Sequence, residues 1–285
     1  MQFDIRHRTI YRYARPVVLQ AHRFMLYPRN SHDLRLLAAA VRCEPAAEFT
    51  WTQDVFGNLI ANANFTQTAA ELVTTAEVSV ELYADEWPIF RIAPDAHSYP
   101  FDYSAEEKMD LGALRVPEDP RHDIALRSWA QGFVFGERTD TLSLLKDINA
   151  GIFGAVAYRI RDEEGTQTPS ETLQVASGSC RDIAALFIEV VRHLGFGARA
   201  VSGYLYEPDT PSGQPRATHA WAEVYLPRAG WIAFDPTNRR VGGARLIPVA
   251  VGRRNQQIMP VSGGYTGAPG DFLGMEVEVV VTPHG

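Results

Sequence analysis

Two cysteines occur in 285 residues, and one of them, Cys180, stands in the stretch SGSCRDIAALF, Ser177 to Phe187. Gly178 and Ser179 allow a sharp turn. Ile183, Ala184, Phe187, Val190, Val191 and Leu194 then recur at helical spacing, so Cys180 is expected to open a helix that Gly195 or Gly197 ends. A thiol is a weak nucleophile until ionised, with an ordinary pKa of about 8.5. A helix N-terminus carries roughly half a positive charge and unpaired N–H groups, and both favour the thiolate. The N–H of Cys180 is then placed to hold a developing oxyanion. The position suits an activated nucleophile.

Such a nucleophile needs a base and a group to orient that base. His219 opens the run HAWAEVYLP and Asp235 ends the run GWIAFDP, with a compact reversal at Pro227, Arg228, Ala229 and Gly230 between them. An antiparallel hairpin centred there sets His219 opposite the neighbourhood of Asp235 to Thr237. Directly opposed residues have Cβ atoms about 4.5–5.5 Å apart, within carboxylate reach of an imidazole. A slip of one residue would put the two on opposite faces. The expected catalytic set is therefore Cys180, His219 and Asp235, the components of a thiol-dependent acyl transfer.

Each candidate has a plainer reading. Asp235 could serve only to cap the turn at Pro236-Thr237. Asp182 and Arg181 fall in the first turn of the expected helix, where an aspartate favours the dipole regardless of function. Tyr158 is read either as a second oxyanion donor or, more simply, as a buried tyrosine with an ordinary partner. Trp221 and Trp231 are expected to pack the sheet or wall the cleft, and His193, far along the helix from Cys180, to be surface or packing. Cys43, in AVRCEP, is expected in a core. No further Cys or His stands near Cys180 and His219 at metal-site spacing, and no phosphate loop or dinucleotide fingerprint is present. No cofactor and no metal is expected.

The elements that must hold these residues divide the chain. Phe3, Ile5, Tyr11 and Tyr13 share one parity and Gln2, Asp4, Arg6, Arg8 and Arg12 the other, as in a half-buried strand. Val78, Val80 and Leu82 repeat the device against Glu77, Ser79 and Glu81. Several strands without a convincing helix suggest an antiparallel sandwich or barrel over the first ninety or so residues. From Trp87 to about Pro120, prolines and acidic residues interrupt the pattern and mark a connection, with room for a short helix. Helical spacing follows at Leu126, Trp129, Ala130 and Phe133, and again at Leu142, Leu145, Ile148 and Ile152 behind a cap at Asp140. Strand-like runs then follow Cys180. The last forty residues read as Gly-rich loop closed by the strand GMEVEVVVTP.

Hydrophobic content of 46% and charged content of 21% are those of a globular chain, and a net charge of −7 argues against a nucleic-acid surface. No stretch has the length of a signal peptide or a membrane span. Two cysteines make no disulfide framework, so a reducing, cytoplasmic setting is expected. Nothing in the sequence fixes an oligomeric state.

ETLQVASGSCRDIAALFIEVVRHLGFGARAVSGYLY followed by THAWAEVYLPRAGWIAFDPTN resembles the bacterial transglutaminase-like family of the papain-like superfamily, from about Tyr158 to Asn238. IRHRTIYRYARPV, RFMLYPR and DVFGN are similar to the β domain that precedes the core in bacterial members. The resemblance implies an α+β fold with a papain-like/transglutaminase core, a helix-borne cysteine packed on an antiparallel sheet, behind an N-terminal antiparallel β domain. It implies Cys180 as nucleophile, His219 as general base and Asp235 as the residue that orients the imidazolium. On this reading residues 1–88 form the sandwich-like domain, 89–120 the connection, 121–252 the core and 253–285 a Gly-rich segment with a closing strand. Calcium-dependent animal transglutaminases place Gln before and Trp after the cysteine; here Ser179 and Arg181 stand there, and no matching calcium loop is found. The acyl acceptor stays open, with water, giving a peptidase or amidase, favoured over an amine because it needs no second pocket; the alternatives are a transglutaminase using an amine acceptor and a non-catalytic binding protein that retains the fold. The expected partner is a protein or peptide amide substrate, with no nucleic acid and no membrane.

Overall fold

A computed structural model describes residues 1–118, 124–161, 163–208 and 217–284. Alternation dictates the first half of the chain. In β1 (Gln2–Leu19), Phe3 and Ile5 are buried while Gln2, Asp4 and Arg6 are exposed. The simple parity ends at Thr9 and Ile10, which are both buried, so the strand is covered on two sides there. β2 (His22–Phe24), β3 (Leu34–Glu44), β4 (Glu48–Gln53), β5 (Leu59–Asn64) and β6 (Thr68–Leu82) follow. β1 and β6 pair antiparallel with Ile5 opposite Val78, and β3 pairs with the other edge of β6. β2, β5 and β4 make a second sheet. Tyr13, Val17 and Leu72 from the first sheet meet Phe24, Ala61 and Ala63 from the second in one apolar cluster. The expected sandwich is present, and Cys43 lies buried in that cluster with its thiol 3.7 Å from Thr74 Oγ1.

The connecting segment is packed rather than loose. It carries β7 (Ser98–Tyr99) and the helix α1 (Ala105–Leu111), which Ser104 caps through the backbone N–H of Glu107. Ile92, Ala96, Tyr103 and Leu111 are buried along it. The boundary expected at 120/121, including Pro120, lies outside the described residues.

The helices beyond it form where the spacing predicts them. α2 (Ile124–Gln131) buries Leu126 and Ala130; Phe133 falls just past its end and packs edge-on to Trp129. After β8 (Thr139–Asp140), Asp140 accepts from Ser143 N at 2.8 Å and opens α3 (Thr141–Ala155), burying Leu145, Ile148 and Ile152. β9 (Ala157–Tyr158), α4 (Pro169–Val175) and β10 (Ser177–Gly178) lead into α5 (Cys180–His193), which ends before Gly195 at φ +90°. β11 (Gly197–Leu205), β12 (His219–Leu226), β13 (Gly230–Asp235), β14 (Arg240–Val241) and β15 (Leu246–Gly252) then form an antiparallel sheet in the order β14-β13-β12-β11-β15. α5 lies on one face of it, Phe187 stacked on Phe234 at 5.3 Å.

Two expectations for the C-terminal part are corrected. Leu246–Gly252, expected as loop, is the edge strand of the core sheet. Pro248 conceals it in the sequence, yet a proline is tolerated on an edge beside a bulge, and the register with β11 shifts between Ser202 and Gly203, opposite that proline. The closing strand does not stay with the Gly-rich segment. β16 (Val261–Ser262), β17 (Tyr265–Thr266) and β18 (Phe272–Pro283) all pair with strands of the N-terminal domain, β18 along most of β1 with His7 opposite Val279. The N-terminal domain is completed by the end of the chain. One apolar cluster then runs from Phe3, Val78 and Val279 through Leu145, Phe187 and Phe234, so the two domains share a core. Among the described residues no helix is long and apolar enough to cross a membrane.

His7 sits on this shared interface, 2% exposed, its ring nitrogens 3.2 Å from Tyr204 Oη and 3.1 Å from Thr9 Oγ1. Burial pushes its pKa from 6.5 down to about 4. The folded state therefore resists a proton that the unfolded chain accepts, so stability present above pH 6.5 is lost as pH falls toward 4. A shift of this size is worth about 3 kcal/mol. The His7 resonances in an NMR titration should stay those of a neutral ring through pH 5, and His7→Gln should remove this part of the acid sensitivity in urea unfolding.

Candidate active site

β9 and β10 form a short parallel ladder in which Arg159 N donates to Gly178 O at 2.9 Å, fixing the entry to α5. Gly178 is needed for contact rather than for a left-handed turn. A Cβ there would lie 2.9 Å from Asp182 Cβ and 3.3 Å from Thr172 Cγ2. Ser179 precedes the helix and Cys180 is its first residue, half-buried.

Asp182 does more than favour the dipole. Its side chain is fully buried, and its Oδ2 accepts from Ser179 N at 2.9 Å, Ser179 Oγ at 2.7 Å and Arg161 Nε at 2.8 Å, while Oδ1 accepts from Gln167 N at 2.8 Å. Burial raises its carboxyl, but the Ser179, Gln167 and Arg161 donors outweigh that and hold it below the usual range. Arg181 ties the same loop from outside through Glu163 O and Gly165 O. The spacing S-x-x-D, a capping box in outline, was the available signal for Asp182. Arg161 and Gln167, in a turn-rich stretch, gave none.

The hairpin register is the one expected. Ala222 opposes Phe234 and Leu226 opposes Gly230, and just past the end of this ladder Asp235 meets the histidine. His219 Nε2 lies 2.9 Å from Asp235 Oδ2. This leaves Nδ1 as the nitrogen toward Cys180. Asp235 also caps its turn: Oδ1 accepts from Thr237 N at 3.1 Å and from Asn238 N at 3.3 Å, and Asn238 Nδ2 donates to Oδ2 at 2.7 Å. The two readings of Asp235 hold at once, and Asn238 joins the site through the Asx turn latent in DPTN.

Charge follows from this packing. Burial raises the Cys180 thiol, but its hydrogen bond to His219, the imidazolium charge and the Ala220 backbone N–H outweigh that and lower it below the ordinary range. For His219, burial lowers the pKa, while the Asp235 charge and hydrogen bond, with Cys180 behind them, raise it to about 10. Both shifts favour the thiolate–imidazolium form of the pair. Cys43 behaves oppositely, burial pushing its thiol up to about 11.

Trp221, 1% exposed, stacks on His219 with ring centroids 5.9 Å apart and planes at 24°. Gly203, paired with His219 across β11 and β12, lets that ring in: a Cβ there would sit 2.8 Å from Trp221 and 2.1 Å from Ile247 O. Trp231 instead carries Arg199 over its face at 4.0 Å. His193 packs in the last turn of α5, 3.9 Å from Glu189. Tyr158 corrects the expectation of a buried side chain, since β9 runs at the surface and leaves it 54% exposed. Among the described residues no group of three or more His, Cys, Asp or Glu side chains is placed to hold a metal ion.

Two family models match the chain. Residues 3–81 match the bacterial transglutaminase-like N-terminal region, and residues 127–236, which contain Cys180, His219 and Asp235, match the transglutaminase-like superfamily. The chain belongs to the transglutaminase-like superfamily. An uncharacterised protein of Mycobacterium tuberculosis is 28% identical to this transglutaminase-like chain over 98% of its length and 92% of the relative. A protein-glutamine gamma-glutamyltransferase of Pseudomonas aeruginosa is 36% identical over 66 residues, which are 21% of this chain and 10% of that protein. The fold is shared with a crystal structure of a candidate cysteine protease from Cytophaga hutchinsonii, at a TM-score of 0.73 and 21% identity over 100% of this chain and 92% of the other.

Proposed function

We propose that the protein is a cysteine-dependent amide hydrolase acting on a protein or peptide. The Cys180 thiolate attacks the amide carbonyl, forming a C–S bond. As the C–N bond breaks, the His219 imidazolium gives its Nδ1 proton to the departing amine. Water then attacks the thioester, His219 takes its proton, and the carboxylic acid leaves with the thiolate restored. Asp235 stabilises the imidazolium through both half-reactions, and the Cys180 N–H at the start of α5 faces the developing oxyanion. The observation that carries the reading is the 2.9 Å contact of His219 Nε2 with Asp235 Oδ2, beside a thiol whose pKa the imidazole lowers. The thiolate also suits a reducing compartment such as the cytoplasm.

Alkylation tests it directly. The reactive ion pair exists above the lowered thiol pKa and below the imidazole's value of about 10. Iodoacetamide should therefore label Cys180 fast at pH 7 and slow down only on the acid side, while Cys43 stays unlabelled. Amide turnover should follow a bell whose alkaline limb lies near pH 10. Equal, slow labelling of both cysteines would remove the proposal.

The short match to a protein-glutamine gamma-glutamyltransferase favours a second reading, resolution of the thioester by an amine. A labelled primary amine added to the amide reaction separates the two. Free acid supports hydrolysis, and label incorporated without free acid supports transfer.

A further inference from the structure

The loop Asp54–Asn58 belongs to the N-terminal domain yet is bound to the core sheet. Asp54 closes it from within, Oδ1 accepting from Phe56 N at 2.9 Å and Asn58 N at 3.0 Å. Asn58, 1% exposed, pairs with the backbone of Val251 in both directions: Nδ2 donates to Val251 O at 2.7 Å and Oδ1 accepts from Val251 N at 2.9 Å. Arg29 locks the join, donating to Phe56 O at 3.1 Å and Asn58 Oδ1 at 2.8 Å. Val251 pairs with Val201, and Val201 with Trp221, so one row of the sheet leads from this loop to the ring stacked on His219.

On that face Phe56 joins Val201, Trp221, Leu246 and Val251 in a separate apolar cluster. The Trp221 ring is set there by its neighbours' shapes: its Nε1–H is buried and has no hydrogen-bond partner among the described residues, whereas a buried tryptophan usually finds one. An imidazole has two soft torsions, and the Asp235 bond to Nε2 fixes a point on the ring without fixing its plane. The stacked indole fixes the plane.

We infer that Phe56 is a positioning residue for His219: the N-terminal domain backs Trp221, and Trp221 holds the imidazole plane that keeps Nδ1 on the Cys180 sulfur. This rests on the proposed thiolate–imidazolium site and assigns the N-terminal domain a part in it. Among the described residues, Cys180 and Asp235 are the titratable groups that act on the ring, so the consequence reads out on the thiol.

The test is the pH dependence of Cys180 alkylation by iodoacetamide in the full chain. Phe56→Ala should loosen the imidazole and move the acid limb of the alkylation profile up by about one pH unit, slowing alkylation on that limb up to about tenfold while leaving the rate at pH 9.5 unchanged. Phe56→Leu, which keeps most of the apolar volume, should show the same acid-side loss and carries the test if the alanine variant does not fold. Phe56→Tyr should restore the wild-type profile. Phe49→Ala, which thins the sandwich core away from this loop, should lower the melting temperature alone. A folded Phe56→Leu protein with an unmoved acid limb, or a Phe49→Ala protein with the same shift, would overturn the inference. Failure of the underlying site shows separately, as a wild-type Cys180 that reacts no faster than Cys43.

Discussion

Cys180→Ala is expected to cut amide turnover by about 10⁵-fold, roughly 7 kcal/mol of transition-state stabilisation, while the protein stays folded. The cost arises because the sulfur forms the bond on which the other two side chains act. The fold should survive because Cys180 is half-buried and first in its helix, and because removing it leaves His219 still paired to Asp235. His219→Ala should cost a similar amount. The double variant should be hardly worse than either single one, since groups that act as a unit are strongly non-additive. Turnover of an amide substrate measured beside urea unfolding of each variant decides the matter. Losses that multiply across the double variant would mean that the two side chains act independently, contrary to a shared proton.

The candidate set was legible because each member stands at a junction that local pattern marks. Cys180 lies where a turn meets a helical period, and His219 and Asp235 flank a reversal short enough to fix the register. Counting residues from Gly230 therefore sufficed to put them on one face, as the pairing of Ala222 with Phe234 bears out. The long-range partners were not legible. Arg161 and Gln167 reach Asp182 from a stretch with no period, and nothing local to the sequence encodes that meeting. β18 alternates like any strand, so its existence was plain, but its place beside β1, some 270 residues earlier, is decided by which edge of the sandwich is left open. In β15 the proline that reads as a breaker is accommodated by a bulge, which only the paired strand reveals. DVFGN stands out through its resemblance to the β domain of bacterial members, and its role in pinning the core sheet through Asn58 and Val251 depends on two domains meeting.

The second large effect is expected at Asp182, in stability first and chemistry second. Asp182→Ala removes the acceptor of Ser179 N, Ser179 Oγ, Gln167 N and Arg161 Nε in one substitution. The Arg161 side chain is only 10% exposed, and its other contacts, Glu163 at 3.4 Å and Gly165 O at 3.2 Å, are longer than the one it loses. Removing one partner of a buried pair leaves a charge that cannot rehydrate, at a cost of about 3–5 kcal/mol. Because the folded pKa of Asp182 is depressed, its stabilisation is present above the unfolded value near 4 and is lost as pH falls through the folded one. Urea unfolding at pH 7 should therefore show the full loss for Asp182→Ala, with a smaller gap from the wild type in acid. Arg161→Met should recover part of the loss when combined with Asp182→Ala, since no unpaired guanidinium then remains, giving a coupling energy of about 2 kcal/mol in the double-mutant cycle. Turnover should fall as well, because Ser179 and Gly178 set where α5 begins, and a frayed first turn misplaces both the Cys180 sulfur and its N–H. If instead Asp182→Ala cost under 1 kcal/mol, the carboxylate would be no more than an ordinary first-turn acid, and the placement of Cys180 would have to rest on the β9–β10 ladder alone.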